Sequence, residues 1–247
     1  MHSVPPLAAA PRFQDSQVRR AHDRGLRETD WLLARYSFSF GDYHDPNHTH
    51  WGCLRALNED WVAPGRGFTW HGHRDIETLT YPLEGRIRHV DDLGNDFEIG
   101  PGDVVHMSAG SGINHSELNA SATLPERHLQ IWLYPRARSA TPACSVTRID
   151  SKAKKNRWCV VASPDGREGS ITIDQDVLVF AARPAPGVSL RYGLSSRRLG
   201  YLHVVHGEIL VGSSLRLHAG DGLKLAHDEV LSLTGVVPET EVLLFDL

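Results

Sequence analysis

Cysteine is scarce in this chain: Cys53, Cys144 and Cys159 are the three among 247 residues. No two of them form a CxxC pair, which argues against a structural zinc ribbon, and three are too few for a disulfide framework. A reducing, cytoplasmic setting is the expectation. No eighteen apolar residues run together, so no membrane-spanning helix is expected. The short run Leu7-Ala8-Ala9-Ala10 is too brief for a signal-peptide core and no positive charge precedes it. An excess of positive charge is also missing. With 26 Lys+Arg against 30 Asp+Glu the net charge is −4, and without a basic tract nucleic acid is not an expected partner. Long stretches with a 3.6-residue apolar period are scarce as well, which speaks against a helical fold.

What is present is a packable composition, 40% hydrophobic and 23% charged, arranged in short runs. Residues 31–40, 53–57, 77–82, 86–91, 104–108 and 128–134 are rich in β-branched and aromatic side chains. Gly, Pro, Asn and Asp separate them, the pattern of short strands joined by turns. The clearest hairpin turn is Asp92-Leu93-Gly94-Asn95-Asp96. Such a series predicts an all-β fold of sandwiches or barrels. Residues 1–20 read as an irregular lead-in.

The chain also echoes itself. Leu83-Glu84-Gly85-Arg86-Ile87 resembles Val205-His206-Gly207-Glu208-Ile209, and Gly100-Pro101-Gly102-Asp103-Val104 resembles His218-Ala219-Gly220-Asp221-Gly222. The offsets are 207 − 85 = 122 and 220 − 102 = 118. Two β-barrels of about 100 residues each account for this spacing and for the length. The boundary is placed near Thr141-Pro142, giving domains 1–142 and 143–247, with the basic segment 150–157 on the connection or the first strand of the second.

Histidine is the outlier, with fifteen copies. On an extended strand alternate residues share a face, so His71 and His73 point the same way, with Cα atoms roughly 7 Å apart. His115 and Glu117 form a second same-face pair after the turn-rich Ser108-Ala109-Gly110-Ser111-Gly112. One isolated HxH is most often a surface or hydrogen-bonded feature. Two same-face pairs on neighbouring strands of a small barrel instead bring three imidazoles and a carboxylate to one point, a ligand set for a divalent cation. Glu77, four residues after His73, is either a ligand or base, or a hydrogen-bonded supporting group. His48 and His50, with His44 nearby, follow the turn Asp45-Pro46-Asn47 and read as a loop. His106, His128, His203, His206 and His218 lie in apparent strands without partners and read as structural or surface residues. Phe68 and Trp70 alternate with the histidines and are expected on the opposite face, packed in or between barrels.

The run from Gly67 to Gly85, containing Trp70-His71-Gly72-His73-Arg74-Asp75-Ile76-Glu77, resembles the first signature of pirin-like proteins of the cupin superfamily. Pro101-Gly102-Asp103 with Met107-Ser108-Ala109-Gly110-Ser111-Gly112-Ile113-Asn114-His115-Ser116-Glu117 resembles the second. Ser37-Phe38-Ser39-Phe40, Asp45-Pro46-Asn47, Gln130-Ile131-Trp132-Leu133 and the ending Glu241-Val242-Leu243-Leu244-Phe245-Asp246-Leu247 agree with it too. The resemblance spans most of the chain beyond about residue 18. It implies a bicupin: two stacked antiparallel β-barrels of the double-stranded β-helix type, with little helix and a metal in the first barrel alone. The family's ligand positions fall on His71, His73, His115 and Glu117. Adding the repeat offsets to these four positions gives Gly193, Ser195, Leu233 and Gly235, which are not a ligand set.

A 2+ ion with three neutral imidazoles and one carboxylate keeps a net charge of +1 and one or two open positions. An enolate or phenolate oxygen completes neutrality, so a hydroxylated aromatic or enol substrate is expected. The absence of thiolate argues against structural zinc. Fe(II) is favoured, although Mn, Co, Ni, Cu or Zn suit the same ligands. The resemblance implies quercetin 2,3-dioxygenase-type cleavage of a flavonol by O₂, with Glu117 in a second role as the base for the substrate hydroxyl. The runner-up that the resemblance implies is a non-catalytic metal-binding regulator of a partner enzyme or transcription factor. A cupin isomerase or storage protein without oxygen chemistry shares the fold.

Overall fold

The computed structural model describes residues 17–247. The run Leu7–Ala10 and most of the irregular lead-in lie outside the described residues. The first half contains β1 (Val18–Arg19), β2 (Gly25–Glu28), β3 (Leu32–Tyr36), β4 (Leu54–Val62), β5 (Gly67–His73) and β6 (Glu77–Glu84). It continues with β7 (Ile87–Asp91), β8 (Asp96–Ile99), β9 (Asp103–Ser108), β10 (Ile113–Asn119) and β11 (Glu126–Leu133). Then follow β12 (Ala143–Arg148), β13 (Cys159–Ser163), β14 (Ile171–Thr172), β15 (Leu178–Ala182), β16 (Ser189–Gly193) and β17 (Gly200–His206). The chain closes with β18 (Glu208–Val211), β19 (Leu215–His218), β20 (Gly222–Leu225), β21 (Val230–Gly235) and β22 (Glu241–Asp246). Helix is limited to short 3₁₀ turns such as Ser151–Lys154, and no helix among the described residues is long and apolar enough to cross a membrane.

The strands assemble twice into the same two-sheet barrel. The first has a seven-stranded sheet β12-β9-β6-β11-β4-β3-β2 facing a four-stranded sheet β5-β10-β7-β8. The second repeats this with β1-β20-β17-β22-β15-β13-β14 facing β16-β21-β18-β19. The two sequence echoes sit at matching corners. Gly85 (φ +71°) turns β6 into β7 and Gly207 (φ +77°) turns β17 into β18, in a backbone region that glycine enters without strain. Two strands cross between the halves. β1 joins the second barrel through Val18↔Leu223, and β12, beyond Pro142, joins the first through Ala143↔Ser108 to Arg148↔Asp103.

Period-two alternation decides what each face of the large sheets does. Leu79 and Tyr81 of β6, Leu129 and Ile131 of β11 and Leu57 of β4 pack against Val161, Val179, Tyr201, Leu243 and Phe245 of the second barrel. Each such side chain, fully withdrawn from water, contributes about 1.5–3 kcal/mol relative to exposure. The alternate residues of the same strands, Thr78, Gln130, Trp132, Asn58 and Asp60, line the interior of the first barrel. β4 therefore runs five residues past the end expected at residue 57. The polar run Asn58-Glu59-Asp60 is buried there, because Asn58 and Asp60 face a cavity while Glu59 is held by Arg24 (2.7 Å) and by Arg127.

The second barrel's interior is filled differently. Leu190, Leu202, Leu223, Leu231, Leu233 and Leu244 belong to one buried apolar cluster. The second barrel's four-stranded sheet pairs Leu233 with Leu190, two apolar residues, whereas the first barrel's pairs His115 with His71.

Candidate metal centre

β5 and β10 are paired neighbours, with His71 opposite His115 and His73 opposite Ile113. Their approach depends on Gly67 (φ +151°), where a Cβ would stand 2.3 Å from the Glu117 carbonyl oxygen. The ring centroids of His71, His73 and His115 lie 4.5–5.0 Å apart, and one ring nitrogen from each falls within 4.8 Å of the others. His71 Nδ1 is 2.7 Å from the Thr69 carbonyl oxygen, a bond in which Nδ1 carries the proton and Nε2 keeps its lone pair. Both ring nitrogens of His115 are buried and without a hydrogen-bond partner. An imidazole left so is costly unless something accepts its lone pair.

Electrostatics keep the His73 and His115 rings neutral. Burial, and then the adjacent His71, push His73 down to about 4. Burial dominates for His115 as well, and although Glu117 opposes it, the value falls to about 4. Neutral imidazole is the form that ligates metal, so little proton competition exists near pH 7.

Glu117 occupies the same cavity but does not join the three-imidazole group within that 4.8 Å limit; its close partners are His115 and His89. Thr80 Oγ1 donates to Glu117 Oε1 at 3.1 Å and Gln130 Nε2 to Oε2 at 2.9 Å. Burial pushes the carboxyl upward, but His89, His115 and His128 outweigh it and hold it well below the ordinary carboxylate range. His89 stands directly across from Glu117 on β7, with Nδ1 4.0 Å from Oε1. Its other nitrogen, Nε2, contacts Asp91 Oδ2 at 3.0 Å and lies 3.7 Å from Cys144 Sγ. The ring is stacked on Phe97 at 4.9 Å. Burial opposes its protonation, yet Cys144 and Glu117 raise it above the usual imidazole range. His89 is the neighbour that the reading of the sequence passed over. The signal was available, since His89 and Asp91 alternate on a strand just as His71 and His73 do.

Around these groups lies a cavity of about 210 Å³, walled by Phe40, Phe68 and Trp132. Phe68 departs from expectation by lining it beside the histidines. Between His115↔His71 and Glu117↔Phe68 the register shifts, so Thr69 and Trp70 together face Ser116. This bulge turns Phe68 to the same side as His71, 6.3 Å between ring centroids. Trp70 does point away, but it is 54% exposed and packs in no core. Glu77 is fully buried outside the cavity, where its Oε2 accepts from His106 Nε2 and from the Asp174 backbone N–H, both at 2.8 Å. His106 and His128 are thus not partnerless: the second lies between Glu126 (3.0 Å) and Asp60 (3.6 Å). His44, His48 and His50 are not among the cavity's lining residues, and His48 bonds Asp45 at 3.1 Å.

The pirin profile matches residues 16–133 and the quercetinase C-terminal cupin domain profile matches residues 160–247. Quercetin 2,3-dioxygenase of Escherichia coli (strain K12) is 35% identical over 230 residues, covering 93% of this chain and 97% of that protein. The chain belongs to the pirin family. The E. coli pirin YhhW, solved in complex with nickel(II), superposes on this pirin with a TM-score of 0.87 at 34% identity, covering 93% of this chain and 97% of that one. A quercetin 2,3-dioxygenase of Acinetobacter baumannii shares the fold, with a TM-score of 0.76 at 19% identity over 96% of this pirin and 87% of that chain. For this pirin the donor set fits a divalent metal: three imidazoles converge, one has no other partner, and a carboxylate stands beside it.

Proposed function

We propose that this pirin is a cytoplasmic, metal-dependent dioxygenase that cleaves flavonol-like substrates. His71, His73 and His115 would hold the metal, with Glu117 as the fourth ligand and Fe(II) as the favoured ion. The observation that carries the reading is the convergence of these three imidazoles on an aromatic-walled cavity that also contains a carboxylate. When bound, such an ion supplies Lewis acidity toward an enol oxygen and the redox capacity that chemistry with O₂ needs.

The protein's own groups supply the rest. Phe40, Phe68 and Trp132 offer flat faces to a planar aromatic ligand and exclude water from the reacting end. Glu117 takes the proton of the substrate's hydroxyl onto a carboxylate oxygen, acting as general base. Thr80 and Gln130 hold that carboxylate in place with one hydrogen bond each. His89, charged and 4.0 Å behind it, favours the ionised form before the proton arrives. The decisive experiment is oxygen uptake with quercetin by protein of measured metal content, loaded in turn with Fe, Mn, Co and Ni. Uptake that disappears in His115→Ala supports the reading. No uptake by any fully loaded form overturns it in favour of a regulatory binding protein.

A further inference from the structure

Two polar groups in the cavity remain unused by that chemistry. Asn58 and Asp60 are 2% and 3% exposed, and the Oδ1 atom of each is buried without a hydrogen-bond partner. They alternate on β4, so they share the face that lines the cavity. β4 belongs to the seven-stranded sheet, whereas His71, His73 and His115 project from the four-stranded sheet opposite. Unpaired acceptors in so enclosed a place each cost about 1–3 kcal/mol. Two of them side by side are therefore waiting for donors. At about 210 Å³ the cavity admits one end of a ligand of drug size, for which about 300 Å³ or more is usual. The inserted end would lie between Phe40, Phe68 and Trp132, with its edge presented to Asn58 and Asp60.

We propose that Asn58 and Asp60 form a recognition subsite for a phenolic hydroxyl carried by the ligand on the edge that faces the seven-stranded sheet. The inference rests on the proposed reading of this cavity as a flavonol site. A hydroxyl there donates to the Asn58 or Asp60 oxygen, while a bare ring edge leaves both acceptors unpaired. Hydrogen-bonding pockets reject analogues that lack the matching group far more strongly than apolar pockets reject a smaller one.

The test is equilibrium binding to the metal-free protein, by calorimetry, of quercetin and of 3-hydroxyflavone, which carries no other hydroxyl. The unmodified protein is expected to prefer quercetin by roughly 10–100-fold, the range one or two buried hydrogen bonds allow. Asn58→Leu, of similar volume, should bring the two affinities within about threefold, whereas Asn58→Asp, which keeps an acceptor, should retain the preference. Asp60→Asn replaces one acceptor oxygen of the carboxyl by an amide donor at constant size. It should cut the preference by about 3–10-fold, and it carries the test should Asn58→Leu fail to melt cooperatively. Equal affinities in the unmodified protein, or an unchanged ratio in a folded Asn58→Leu, overturn the subsite. Turnover of the loaded proteins separates the two readings. Preference without turnover defeats the dioxygenase and leaves the subsite, while turnover without preference defeats the subsite alone.

Discussion

Glu241→Ala tests how the two barrels are held together. Glu241 sits on β22 with its side chain 6% exposed. Its Oε1 accepts from Lys154 Nζ at 2.8 Å and from the Tyr81 hydroxyl at 2.6 Å, and its Oε2 accepts from Arg183 Nε at 2.7 Å. Tyr81 comes from the first barrel, Lys154 from the connection, Arg183 and Glu241 from the second. Arg183 is 43% exposed and turns to water if its partner is lost, whereas Lys154, 4% exposed, cannot. Stranding one charge of a buried pair costs about 3–5 kcal/mol. In a chain of this size each 1 kcal/mol lowers Tm by about 2–4 °C, so the drop should be roughly 6–20 °C. Adding Lys154→Met removes the stranded charge and should recover at least about 1.5 kcal/mol, read as coupling in a double-mutant cycle of urea unfolding. The acid dependence follows. Burial pushes the Glu241 carboxyl up, but Lys154, Tyr81 and Arg183 pull it below its ordinary value of 4.5. The ionised group therefore stabilises the fold fully above about pH 4.5, and that contribution is lost as pH falls through the lower folded value. Glu241→Ala should flatten this part of the profile. A loss below about 1 kcal/mol, or no recovery on adding Lys154→Met, would refute the argument.

Three further outcomes are expected. Gly67→Ala places a methyl group 2.3 Å from the Glu117 carbonyl, so β5 and β10 must part; thermal melting should show a loss of about 2–4 kcal/mol and metal titration a weakened site. Glu117→Gln, which keeps size but not charge, should lower flavonol turnover by about 10²-fold or more in protein that still melts cooperatively; near-normal turnover would remove Glu117 from the chemistry. His203 is buried with both ring nitrogens unpartnered, and burial, then Arg24, push it down to about 3 from the ordinary 6.5. The unfolded chain therefore takes up a proton first, and stability present above pH 6.5 is lost as pH falls toward 3. His203→Leu should lessen that loss in chemical unfolding at pH 7 and pH 5.

Much of this was legible in the residues because strand periodicity is strict. Alternation alone puts His71 with His73 and His115 with Glu117, and the glycine corners at Gly85 and Gly207 reveal the duplicated barrel. What escaped depended on contacts distant in sequence. The bulge at Thr69 and Trp70, which swings Phe68 into the cavity, leaves no mark in the apolar pattern. β1 has two residues and no periodicity to betray its pairing with β20. Asn58-Glu59-Asp60 reads as the end of a strand because polar residues usually mean solvent. Here two face the cavity and the third an arginine pair, so the strand continues.

The central claim is that His71, His73 and His115 share one ion. Its most direct test is elemental analysis of purified protein combined with X-ray absorption at the metal edge. The expected result is one divalent ion per chain, at least three nitrogen or oxygen donors about 2.0–2.2 Å away with imidazole scattering, and loss of the ion in a folded His115→Ala. Undiminished metal content in that variant, or an ion ligated without imidazole, would contradict it.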